Sequence, residues 1–88
     1  MIRQLAVITN PDGLHARPVA DFVRVATMAG HTVKVSRPGQ TSVRGDSILA
    51  ILSLGLKSGE RVEIEVTGPA ETELIQRLLN IVSANKSD

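Results

Sequence analysis

Between Arg61 and Thr67 the chain reads Arg-Val-Glu-Ile-Glu-Val-Thr, apolar and polar in strict alternation. A strand of that pattern buries one face, here Val62, Ile64 and Val66, and leaves charge on the other. It therefore belongs to a sheet with a wet side and a dry side, and the dry side must be covered. The chain has 88 residues, room for a single core, so the cover must come from the same small domain. The expectation is one domain spanning 1–88.

Helical stripes elsewhere in the chain supply that cover. From Ala16 to Ala29, Val19, Phe22, Val23 and Ala26 follow the i, i+3, i+4, i+7 spacing of an amphipathic helix, with Gly30 placed to stop it. Gly45-Asp46-Ser47 carries helix-start chemistry before a short apolar helix from Ile48 to Leu54, ended near Gly55. Gly68-Pro69 opens a last helix in which Leu74, Ile75, Leu78, Ile81 and Val82 form the buried stripe. Ile2 to Ile8 is β-prone and ends in the turn formers Thr9-Asn10-Pro11-Asp12-Gly13. Val33 to Ser36 alternates, Pro38-Gly39 suits a type II turn, and Thr41 to Arg44 returns as a second arm. The predicted fold is α+β, an open-faced β-sandwich of βαββαβα order. It has a four-stranded antiparallel sheet with three helices on one face. Asn85 to Asp88 reads as a frayed tail, and Met1 with that tail suits a free-standing chain.

Composition removes several functions. With no cysteine there is no disulfide framework and no thiolate metal site. Two histidines without a suitably spaced carboxylate make no metal site, and no cofactor is expected. A net charge of +1 and a single aromatic residue, Phe22, offer neither the field nor the stacking platform for nucleic acid. No apolar run approaches the roughly 20 residues that span a bilayer. Met1 to Val7 carries no signal-peptide pattern, so a cytoplasmic, monomeric protein is expected.

The chemistry concentrates in Gly13-Leu14-His15-Ala16-Arg17-Pro18. This segment puts an imidazole at a helix mouth, where backbone N–H groups without intrahelical partners attract anions. Pro18 fits the first turn because its missing N–H would have been one of those orphans. Arg17 adds a permanent charge with a planar donor fork, and Gly13 lets backbone approach closely. The positive helix end favours the neutral, nucleophilic imidazole. No serine or cysteine triad and no Gly-rich loop with lysine stands nearby. The site is therefore suited to receive a phosphoryl group and unsuited to extract one from ATP unaided. His31, after Gly30 at the start of a strand, reads as an ordinary surface histidine.

These residues, together with Ser47-Ile48-Leu49-Ala50-Ile51-Leu52-Ser53-Leu54-Gly55 and the element order, closely resemble HPr. That is the histidine-containing phosphocarrier family of the bacterial sugar phosphotransferase system. The resemblance implies a relay in which His15 accepts a phosphoryl group on Nδ1 from phospho-enzyme I, itself charged by phosphoenolpyruvate. His15 then passes the group to an enzyme IIA domain. It implies phosphate binding by His15, Ala16 and Arg17. It also implies partner docking on an exposed patch of Ile48, Leu49 and Leu52, extended by Ala20, Val23, Arg24 and Thr27, with Arg17 and Arg24 as a basic rim. Ser47 matches a serine that a dedicated kinase phosphorylates in some members, so a serine kinase or a transcription regulator is a further implied partner.

Two positions depart from the family pattern. Asp46 before Ser47 would compete for the helix-mouth donors and repel a phosphoserine, and Thr27 stands where lysine is common. As a helix cap, either Asp46 or Ser47 would serve. Two other readings stand beside the sugar relay. One is a relay to a regulatory or dihydroxyacetone-kinase pathway. The other is a non-phosphorylated interaction module using the Ser47 face, for which an intact His15 is superfluous.

Overall fold

The computed structural model describes residues 1–11, 13–14, 16–27 and 31–83. The elements run β1 (Ile2–Val7), α1 (Ala16–Ala26), β2 (Thr32–Ser36), β3 (Val43–Arg44), α2 (Ile48–Leu52), β4 (Arg61–Thr67) and α3 (Glu71–Val82). This is the βαββαβα order expected. The helix stop at Gly30 and the tail from Asn85 to Asp88 lie outside the described residues. All strand pairs are antiparallel in the order β1-β4-β2-β3, so the alternating strand β4 is central. Its inward residues Val62, Ile64 and Val66 are fully buried, and Val33 and Val35 of β2 pair opposite Val66 and Ile64. The helices lie over that face, giving the open-faced α+β sandwich.

The outer face carries the charges, and register pairs them. Arg3 lies opposite Glu65 and bridges Glu63 at 3.0 Å, while Lys34 also faces Glu65. β1 is less buried than its apolar composition implied. Leu5 and Val7 point outward opposite Glu63 and Arg61 and are about half exposed. Period-2 alternation puts them on the wet side whatever their polarity.

Helix stripes shift slightly from the spacing. In α1 the buried residues are Val19, Phe22, Val25 and Ala26, and Val23 is only partly buried. α1 packs against both α3 and α2, and its buried arc includes Val25. In α3, Leu74, Ile75, Leu78 and Val82 are buried and Ile81 only partly so. α3 starts at Glu71 after a left-handed Ala70, with Glu71 and Glu73 complementing its dipole. α2 is shorter than expected, five residues, and only Ile51 of it enters the core. The turn after β2 is as expected: Gln40 N–H donates to the Arg37 carbonyl at 3.0 Å, and Gly39 at φ +78° takes the third position of a type II turn. No described helix is long and apolar enough to cross a membrane.

Candidate functional site

The loop before α1 is held by backbone. Gly13 N–H donates to the Asn10 carbonyl at 2.9 Å, and Leu14 N–H donates to the Leu56 carbonyl at 3.1 Å. Gly13 has φ +73°, and a Cβ there would fall 2.7 Å from the Leu56 oxygen and 2.9 Å from Lys57 Cα. Only glycine fits this contact. Leu14 is buried in the core and anchors the loop from beneath. His15 and Asp12 lie outside the described residues, so the acceptor assignment rests on sequence. Immediately after His15, Ala16 begins α1, and Ala16 and Arg17 are exposed in its first turn. That turn contains no acidic residue, so no carboxylate there competes with an anion for the free N–H groups. Among the described residues Arg17 forms no ion pair.

α2 packs beside α1. Ser47 caps it: its backbone is extended and its Oγ accepts the Ala50 N–H at 3.2 Å. Asp46 does not compete for that helix mouth. Arg44 takes its carboxylate through two hydrogen bonds, 2.9 and 3.0 Å, which hold it below the ordinary carboxylate range. Ile48, Leu49 and Leu52 are exposed, Leu49 by 80%. Core packing therefore does not explain them, since Ile51 alone supplies the inward face of α2. On α1, Ala20 and Arg24 are exposed and Val23 half-buried, and Thr27, just past its end, is exposed. Arg24 spends its charge on Asp21 at 3.0 Å, and Thr27 Oγ1 donates to the Arg24 carbonyl. Of the expected basic rim, Arg17 is the cation left without an ion pair among the described residues.

The chain that carries this acid-free first turn and the apolar patch beside it matches a known family along almost its whole length. The family model described as the PTS HPr component phosphorylation site spans residues 2–84. This chain belongs to the HPr family. It is 35% identical over 72 residues to the phosphocarrier protein HPr of Streptomyces coelicolor, covering 82% of this chain and 77% of that one. It is 28% identical over 83 residues to the phosphocarrier protein NPr of Escherichia coli K12, covering 94% and 92%. The crystal structure of HPr-C-His from Thermoanaerobacter tengcongensis superposes with a TM-score of 0.84 at 34% identity, covering 93% of this chain and 91% of that one.

Three features of this chain were not visible in sequence. Leu14 sits in the core beside a motif read for its polar chemistry, and an isolated leucine between glycine and histidine gives no periodic signal. Arg37, just past β2, reaches Glu60 and the carbonyls of Leu54 and Gly55, a long-range set that local pattern cannot show. His31 is more than a surface histidine. Its half-buried ring donates from Nε2 to the Pro69 carbonyl, and Gly68 leaves room for it: a Cβ there would meet the ring at 2.9 Å.

Proposed function

We propose that this chain is a phosphocarrier in which His15 accepts a phosphoryl group from phospho-enzyme I and delivers it to an enzyme IIA domain. In the first step the neutral Nδ1 forms a bond to phosphorus as the bond from phosphorus to enzyme I breaks. In the second, the phosphorus–Nδ1 bond breaks as the acceptor's bond forms. Arg17 and the N–H groups of Ala16 and Arg17 balance charge on the phosphoryl oxygens, the main demand of such a transfer. The observation carrying this reading is the backbone clamp of Gly13 and Leu14 on Leu56, which leads directly into an acid-free first turn beside exposed Arg17. Docking falls to Ile48, Leu49 and Leu52, with Ala20, Val23, Arg24 and Thr27 extending the face. The carrier acts as a cytoplasmic monomer of one domain, residues 1–88.

A second partner set is supported by the NPr likeness, which covers more of the chain than the likeness to the Streptomyces HPr, though at lower identity. The relay chemistry is the same and the docking face differs. Incubation with phosphoenolpyruvate and purified enzyme I proteins of each type, followed by mass spectrometry and acid treatment, tests both. One acid-labile phosphoryl group is expected on the wild type and none on His15→Ala, which should stay folded. A His15→Ala chain that still accepts the group would sink the assignment.

A further inference from the structure

Arg37 and Glu60 form the most connected side-chain cluster among the described residues, and no step of the relay has yet used it. The guanidinium donates from Nε to Glu60 Oε1 at 2.8 Å and from Nη2 to Oε2 at 3.3 Å. It also donates from Nη1 to the Leu54 carbonyl at 2.6 Å and from Nη2 to the Gly55 carbonyl at 3.2 Å. Glu60 Oε2 in turn accepts the Lys57 N–H at 2.8 Å, and Glu60 N–H donates to the Lys57 carbonyl at 3.0 Å. The segment from Leu54 to Glu60 is thus held at several points along its length. The same segment carries Leu56, which accepts Leu14 N–H, and Gly13 is seated on Leu56 and Lys57.

We propose that Arg37 and Glu60 are positioning residues for phosphoryl transfer, fixing the segment on which Gly13 and Leu14, the two residues that precede His15 in sequence, are seated. This rests on the reading of His15 as the acceptor. The physical demand is rigidity. In-line transfer tolerates little misplacement, and an error of about 1 Å can cost on the order of a hundredfold in rate. Four donor contacts from one planar guanidinium restrain the segment in a way that a lysine, with a single rotatable ammonium, reproduces only in part. The pair is about two-thirds shielded from solvent; Lys57 gives its amide to Glu60, and Arg61 lines the same shallow opening with Pro38 and Gln40.

The test is the steady-state phosphorylation of the carrier by enzyme I, well below each variant's unfolding temperature. Alongside it, NMR measures hydrogen exchange of the Leu14 amide. Arg37→Met and Glu60→Gln should each lower kcat by roughly tenfold with KM held within about twofold, and should speed Leu14 exchange. Arg37→Lys should recover part of the rate, and Arg61→Met should leave it unchanged. If Arg37→Met does not fold, Glu60→Gln and Arg37→Lys carry the answer. Folded variants that match wild type in kcat and Leu14 exchange overturn the proposal. So does a change confined to KM, which would assign the cluster to the docking helix α2. A wild-type chain that takes no phosphoryl group instead removes the acceptor reading itself, a result distinguishable from variants that merely match an active wild type.

Discussion

Gly13 and Arg17 do different work four residues apart. Gly13 is required by shape: it combines a left-handed backbone with a contact that leaves no space for a methyl group. Gly13→Ala should cost about 1–3 kcal/mol from backbone strain, before any displacement of Leu56. Urea denaturation measures this, and a stability unchanged from wild type would mean the loop re-seats freely. In the proposed relay Arg17 contributes charge and fork geometry: it is exposed and can turn toward an anion at the helix mouth. Arg17→Lys should leave stability within about 0.5 kcal/mol, as surface substitutions usually do. It should slow transfer with both enzyme I and enzyme IIA, because an ammonium cannot reproduce a two-pronged contact. Unchanged rates with both partners would reduce Arg17 to a solvated side chain.

At the scale of elements, α2 is a five-residue helix that gives one side chain to the core and three to solvent. Such a short helix depends on its cap. Ser47→Ala removes the hydroxyl that accepts Ala50 N–H and should cost about 1 kcal/mol, whereas Ser47→Asp keeps an acceptor there. The two variants separate capping from charge. Ser47→Asp should raise the KM of the carrier for enzyme I, since a new charge at the edge of Ile48, Leu49 and Leu52 must be desolvated on docking. Ser47→Ala should leave KM unchanged at the same ionic strength. If neither changes KM, Ser47 is a helix cap and nothing more. With Asp46 held by Arg44, the helix mouth has no competing carboxylate from that neighbour, so a charge at position 47 meets the Ala50 N–H directly.

For the whole molecule, two carboxylates are held firmly: Glu60, which joins distant segments, and Asp46, which pairs locally. Glu60 is lowered mainly by the hydrogen bonds from Arg37, then by the Lys57 N–H, and Asp46 mainly by Arg44. A lowered folded-state value means the unfolded chain binds more protons as the solution acidifies. The stabilisation is therefore complete above the ordinary carboxylate range near about 4, and is lost as pH falls through the lowered values beneath it. Both groups are solvent-accessible, so each contribution is modest. Urea midpoints measured from pH 6 down to pH 2 should fall below about 4, and Glu60→Gln should fall less steeply. A Glu60→Gln slope equal to wild type would mean that the Arg37 contact adds nothing to acid stability.

The alternation of Arg61 to Thr67 and the helical stripes determined the layer arrangement from sequence alone, because periods of 2 and 3.6 each leave one apolar face that must be buried. The short motif around His15 carried the family and its chemistry, because close approach, helix start and fixed charge need particular residue types at adjacent positions. Burial at element margins was decided only by tertiary contact. In α1, Val25 is buried and Val23 only partly so, and pairing in the sheet turns Leu5 and Val7 outward although both are apolar. The long-range contacts were likewise beyond local pattern. Leu14 meets Leu56 across 42 residues, Arg37 meets Glu60 across 23, and His31 meets Pro69 across 38. Hydrogen bonds of that span are geometric coincidences of the folded chain, with no periodicity to announce them, and the packed sheet and helices alone bring their partners within reach.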